Sequence, residues 1–484
     1  MRGVGEAQPG LGSPARYAVA AAYVTVAVTC SASVGGYVWS RAFGLPQIGG
    51  DVRRWTEPLG VVAIVAESLA VALALAALGP LKGRRLPRRV PAAVGALVLI
   101  TGLGATTAAA VSPQQDGAMT DMAMSGPAYW NRVGGGAVHV TGRIRTYYIG
   151  ADEVVWNYAP TGTNQITGEP FDDAAKVFVQ QGPGRIGSSY LKCLYRGYTD
   201  ETFGHLEARP ADQAYLGVLG PVVRAEVGDT IKVVFRNGCR FATGVHPHGV
   251  FYAKDSEGAL YNDGTTGADK ADDAVPTGGQ HTYLWQVPDR AGPGPGDGSS
   301  VMWMYHGHTD EIADTYAGLM GPMVVTARGQ ARADGSPKDV DRELFAMYAV
   351  MNENASPYLG ENIRRFAGPP TPPELVDDEG FGESNLMHSI NGYVFGNMSM
   401  IRMAKGEHVR WYVMGMGTEV DLHTPHWHGN TVTVSGMRMD VVNLLPMSMV
   451  VADMVADNPG TWLFHCHVAD HIAAGMLTRY QVTG

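Results

Sequence analysis

The sequence predicts an all-β region of two sandwich domains behind an α-helical region of about three membrane-spanning helices. Three observations predict it. Residues 1–115 are rich in Ala, Val and Leu and contain long uncharged runs, whereas the remainder is punctuated by Gly and Pro. From about residue 140 onward, short β-branched and aromatic stretches alternate with turn residues. Paired histidine motifs recur in both halves of that later region, the mark of a duplicated domain. A chain of 484 residues is also too long for one ordinary domain.

The apolar runs come first. Helices are expected at about 17–40, 58–81 and 90–112. Each run exceeds the ~20 residues that a helix needs to cross a bilayer. A cleaved leader accounts for one run but not for three. Lys82, Arg84, Arg85, Arg88 and Arg89 make the second connection strongly basic, and basic loops stay in the cytoplasm. Followed span by span, this puts the N-terminus inside and everything after residue 115 outside. Arg41, Arg53 and Arg54 in the first outer loop run against that order. The expected location is the cell membrane, multi-pass, with the β domains extracytoplasmic. Glu67 is the one acid within the spans, read either as a protonated helix contact or as a functional carboxyl. Residues 116–139 read as a linker; its Met119, Met122 and Met124 are soft Cu(I) ligands or chance members of a tether.

A net charge of −10 argues against nucleic-acid binding. Of four cysteines, Cys30 lies in an apolar run and Cys466 in a histidine cluster. Cys193 and Cys239 remain, either as a disulfide suited to an oxidising compartment or as two buried thiols.

The β region divides into a first domain at 140–327 and a second at 342–484, joined by the polar stretch 328–341. Strands are expected at Ile144–Ile149, Ile231–Phe235, Met323–Thr326, Val409–Met414 and Thr431–Ser435. The Gly-, Asp- and Pro-rich segment 263–300 reads as loops. The first domain carries His246-Pro247-His248-Gly249 and then His306-Gly307-His308. The second carries His426-Trp427-His428-Gly429 and then His465-Cys466-His467. Ala317-Gly318-Leu319 and Ala474-Gly475-Met476 follow the two later pairs.

One His-x-His pair means little, because alternate strand residues share a face. Four pairs with a thiol and a thioether at fixed offsets point to metal. A blue-copper site takes two imidazoles, one thiolate and a weak thioether. His423, Cys466, His471 and Met476 supply that set. Eight cluster histidines are left: His246, His248, His306, His308, His426, His428, His465 and His467. Three coppers held by eight imidazoles can deliver the four electrons that take dioxygen to water. His139, His205, His281, His388 and His408 are expected to be ordinary residues, and the many second-half methionines mainly core filler.

These motifs resemble those of the multicopper oxidases. The flanking stretches Leu194–Asp200, His246–Val250, Thr309–Glu311, Ser389–Phe395 and Gly415–Val420 resemble the laccase-like or ceruloplasmin-like two-domain members. The resemblance covers residues 140–484 and not the apolar N-terminal part. It implies two cupredoxin-like Greek-key sandwiches and four coppers per chain equivalent. In the family pattern the type 1 copper takes His423, Cys466, His471 and Met476; the type 2 copper takes His246 and His426. One type 3 copper takes His248, His306 and His467, and the other takes His308, His428 and His465. Thr243, Gly307 and Leu319 stand where the first domain would need type 1 ligands, so that domain is expected to lack one. The two-domain relatives form homotrimers with the cluster between subunits, and the same is expected here. Substrate electrons are expected to enter at His471 and pass through Cys466, with Asp310 and Asp314 as proton-relay candidates. The reductant is expected to be a phenol or a metal ion such as Cu(I) or Fe(II), with dioxygen as acceptor. A copper nitrite reductase places its thiolate in the first domain, which disfavours that reading. A non-catalytic membrane copper-binding protein has no need of a thiolate wired to two imidazoles.

Overall fold

A computed structural model describes residues 142–369, 373–418 and 421–484. The three expected spans, Glu67, the methionine tether and His139 lie outside the described residues. Among the described residues no helix is long and apolar enough to cross a membrane.

Among the described residues, eighteen strands build four sheets. The first eight are β1 (Ile144–Asn157), β2 (Ser189–Tyr198), β3 (Val223–Glu226), β4 (Thr230–Asn237), β5 (His246–Pro247), β6 (Gln280–Gln286), β7 (Ser300–His306) and β8 (Met320–Thr326). They form sheets of order β2-β1-β4-β6 and β3-β8-β7-β5. Ten more follow: β9 (Arg342–Asn352), β10 (Leu386–Ile390), β11 (Ile401–Ala404), β12 (His408–Gly415), β13 (Pro425–Trp427), β14 (Val432–Val434), β15 (Met437–Met439), β16 (Met449–Val455), β17 (Gly460–Cys466) and β18 (Leu477–Thr483). Their sheets run β10-β9-β12-β16-β14-β15 and β11-β18-β17-β13. The second set repeats the order of the first and adds β14 and β15 at one edge. In both, a parallel pair (β1 with β4, β9 with β12) lies beside an antiparallel partner. The fold of the described residues is mostly β, as expected. Short helices fill the connections: α1 (Asp173–Val179), α2 (Glu311–Ala317), α3 (Leu359–Phe366), α4 (Glu379–Ser384) and α5 (Ala469–Ala473).

The strands follow their side-chain alternation. In β4, Ile231, Val233 and Phe235 are fully buried while Thr230 and Lys232 are not. One expectation is overturned here. The segment 263–300 is not all loop, because β6 runs through it. Tyr283 and Trp285 alternate into the core between exposed Thr282, Leu284 and Gln286, a period of two that the flanking Gly and Pro masked.

Strand β12 breaks the alternation and is buried along nearly its whole length. Both of its faces are covered, as in sheets packed on two sides. Phe345 stacks on Tyr412 at 5.0 Å, and the Tyr412 hydroxyl meets that of Ser300 from β7 at 2.6 Å. One apolar core therefore runs from β7 and β8 into the second set of sheets, taking in Met302, Met304, Met320 and Val324. The connecting stretch 328–341 is ordered. Asp339 accepts from Arg410 at 3.1 Å and from the Ser299 amide at 3.2 Å.

Candidate metal centre

Strand β17 delivers Cys466 at its last residue, and α5 delivers His471 one turn later. His423 comes from the segment just before β13 and pairs through its backbone with Leu444. The thiol lies 3.6 Å from Nδ1 of His471 and 3.9 Å from Nδ1 of His423, and those nitrogens are 3.2 Å apart. A triangle of that size has its centre about 2 Å from each corner, the length of a metal–imidazole bond. The residues therefore fit a small trigonal metal with two nitrogens and one sulfur, the blue-copper donor set. Met476 is fully buried on the same loop, and its carbonyl accepts from the Cys466 amide at 3.1 Å.

The surroundings favour a thiolate. Burial pushes the Cys466 thiol up, but contacts from His423 and His471 and the amides of Thr424 and Val468 bring it down to about 6. Thr424 donates its amide to the sulfur at 3.4 Å. His423 is held from behind by the fully buried Asp421, whose carboxylate lies 3.2 Å from Nε2. Burial opposes charge on that imidazole, yet Asp421 and the thiol raise its pKa overall.

There are two histidine quartets, one in each set of sheets, each built on one rung of an antiparallel pair. His246 on β5 stands opposite His306 on β7, and His426 on β13 stands opposite His465 on β17. His248 and His306 bring their Nε2 atoms to 3.1 Å. His428 and His465 do the same at 3.0 Å, and His426 Nδ1 is 3.2 Å from His465 Nε2. His308 and His467 complete the quartets, their rings 5.3 Å from His306 and His465. Carbonyls turn the rings. Gly307 and Cys466 bond the Nδ1 atoms of His306 and His465, and Glu257 bonds that of His246. Each such bond leaves Nε2 free for a metal. Burial, then mutual repulsion, keeps His248 down to about 4 and lowers His306. Neutral imidazoles of this kind are ready ligands. Within each quartet only His306 and His465 are buried. Among the described residues, no hydrogen bond or ring contact joins one quartet to the other.

The glycine of each earlier motif has a steric reason. Gly249 and Gly429 adopt φ of +76° and +74°, and an added Cβ would lie 2.3 and 2.4 Å from the Trp303 and Trp462 rings.

The two proton-relay candidates sit differently. Asp310 is exposed and caps α2, its carboxylate accepting from the Ala313 amide at 3.2 Å. Asp314 is 1% exposed, and burial raises it to about 7 against opposing bonds from Thr243, Asp310 and Thr309. Its Oδ1 has no hydrogen-bond partner.

Sequence reasoning missed Asp421 and undervalued His388. The His388 ring lies 5.2 Å from that of His471 and is almost buried, so it belongs to the thiolate site's surroundings. Both residues adjoin stretches that carried the family resemblance, which was the available signal. Cys193 and Cys239 form a disulfide, and Met398 and Met403 are core residues.

Two family models, each described as multicopper oxidase, match residues 216–330 and 368–484. Human Ferroxidase HEPHL1 is 47% identical over 343 residues, covering 70% of this chain and 29% of that protein. Human Hephaestin is 43% identical over 345 residues, covering 70% and 29%. Human Ceruloplasmin is 40% identical over 352 residues, covering 70% and 32%. The chain thus spans about three-tenths of the length of these relatives. They lie on the ceruloplasmin side, and the laccase-like label drawn from the sequence gives way to it.

Proposed function

We propose that the chain, which matches multicopper oxidase models over residues 216–330 and 368–484, couples one-electron oxidation of a metal-ion reductant to reduction of dioxygen to water. Bound copper would supply single-electron transfer at the thiolate site and four-electron oxygen reduction at the histidine cluster. The observation that carries the proposal is the position of Cys466. It closes the trigonal site with His423 and His471, and its two chain neighbours, His465 and His467, belong to the second quartet. The thiolate and the quartet are therefore one peptide bond apart. His471, with His388 packed on it, is the entry side for electrons.

The likeness to human Ferroxidase HEPHL1 favours Fe(II) as reductant, with Cu(I) next. Asp314 is the proposed proton donor, with exposed Asp310 four residues before it on the solvent side.

Each quartet offers four imidazoles on a half-open surface, half of what a three-copper cluster needs. We assign the other half to a neighbouring copy in a homotrimer, the closed ring that a head-to-tail interface allows. Exposed Tyr252 and Leu260 touch His246 and His308 of the first quartet and suit such an interface. An extracytoplasmic location on a multi-pass N-terminal anchor fits the three apolar runs and the disulfide.

Absorption and oxygen uptake test this on copper-loaded protein given Fe(II), Cu(I) or a phenol. An intense blue band, a near-ultraviolet shoulder and oxygen consumption are expected. Cys466→Ser should lose the band and the turnover but keep the shoulder. A blue band without oxygen uptake from any donor would overturn the oxidase reading.

A further inference from the structure

The first sandwich keeps the backbone of the thiolate site without its ligands. In the second sandwich, the Cys466 amide donates to the Met476 carbonyl at 3.1 Å and the Met476 amide to that of His471 at 2.9 Å. In the first, the Gly307 amide donates to the Leu319 carbonyl at 3.0 Å and the Leu319 amide to that of Asp314 at 3.1 Å. Thr243 bridges Val275 as His423 bridges Leu444. Position by position, Thr243 stands for His423, Gly307 for Cys466, Asp314 for His471 and Leu319 for Met476. Residues 306–319 are two longer than 465–476, and the two backbone bonds recover the register.

The space is closed by a side chain. A Cβ on Gly307 would lie 2.7 Å from Cβ of Asp314 and 2.8 Å from its Oδ2. The carboxylate thus lies where a cysteine side chain would begin. It also joins three segments. Its Oδ2 accepts from the Thr243 hydroxyl at 3.0 Å and from the Thr309 amide at 3.1 Å, while Asp314 itself rides on α2. Thr243 is three residues before His246, and Thr309 directly follows His308. These are the segments that a metal ion would join in the second sandwich. Helix α2 is anchored in turn, because the buried Lys192 ammonium donates to the Tyr316 carbonyl at 2.8 Å.

We propose that Asp314 is the positioning residue of the first histidine quartet, holding with hydrogen bonds the loops that a metal ion holds in the other sandwich. The inference rests on reading that quartet as half of a copper cluster. It assigns a purpose to a site that has lost its ligands: a hydrogen-bonded brace in place of a coordinated one.

The test uses full-length, copper-loaded protein and reads the two kinds of site separately. The blue thiolate band reports the second sandwich, and the near-ultraviolet shoulder with copper per chain reports the cluster. Asp314→Ala should weaken copper binding at the cluster about 10–100-fold, with the blue band unchanged. Thr243→Val should do so by a smaller factor. Asp314→Asn keeps an acceptor oxygen for Thr243 and Thr309 and should restore loading. Full loading of the cluster in either of the first two variants overturns the proposal. So does poor loading in Asp314→Asn beside an intact blue band. Should Asp314→Ala fail to fold, Thr243→Val decides. A wild-type protein that binds copper only at the thiolate site would sink the oxidase reading, and this inference with it.

Discussion

The carboxylate of Asp421 lies 3.2 Å from Nε2 of His423, and both side chains are buried. That contact fixes which nitrogen of the imidazole faces Cys466. Asp421 also accepts the amides of Val350 at 2.6 Å and Thr418 at 2.9 Å.

Asp421→Ala should therefore loosen the thiolate site twice over, through the ring and through the loop. Copper affinity there should fall about 10–100-fold. Titration of the blue band with copper measures it. An unchanged affinity would mean that the His423 ring is held by packing alone.

The copper-free protein should carry a thiolate at neutral pH. Cys466 is lowered to about 6, so it is mostly ionised at pH 7 and protonated below that value. Ultraviolet thiolate absorbance against pH should give a midpoint near 6, and copper uptake at this site should slow below it. His423→Ala should move the midpoint up. A wild-type midpoint in the ordinary thiol range would contradict the geometry.

Asp314 makes a signed prediction about stability. Its carboxyl is raised to about 7 in the fold. Between the ordinary range near 4 and that value, the folded state holds a proton that the unfolded chain has lost. Raising pH through this window should destabilise the copper-free protein, by up to about 1.4 kcal/mol per unit. Asp314→Asn should remove that part of the slope. Unfolding midpoints of both proteins from pH 4 to 7 give the comparison, and parallel curves would refute it.

Lys192 and Glu353 form an ion pair with no exposure on either side chain. The Tyr158 hydroxyl joins it at 2.5 Å, and the pair links β2 to the turn after β9. Lys192→Met alone should cost about 3–5 kcal/mol by leaving a buried carboxylate without its partner. Adding Glu353→Leu should recover much of that. Additive losses in a double-mutant cycle would show that the two groups do not sense each other.

The candidate ligands stood out in the sequence because their spacing is local and their types are rare. Cys466 and its two histidine neighbours need no tertiary information to be noticed. Strand β6 was not legible, because turn residues surround seven residues whose alternation is the only signal. Asp421 and His388 were illegible for a different reason. An acid or a lone imidazole gains meaning only from what it faces, and Leu422 beside Asp421 is half exposed while Asp421 is fully buried. Asp314 was noticed for its place after His308, but its company of Thr243 and Gly307 appears only once the chain is folded.

The rungs that set His246 against His306 and His426 against His465 separate the histidine geometry from chain length. The first pair is 60 positions apart and the second 39, yet both reach the same cross-strand contact. Insertions and deletions between the motifs can accumulate as long as the two strand ends stay paired. Divergence of the two copies is thereby channelled into loops, and the ligand set outlives it.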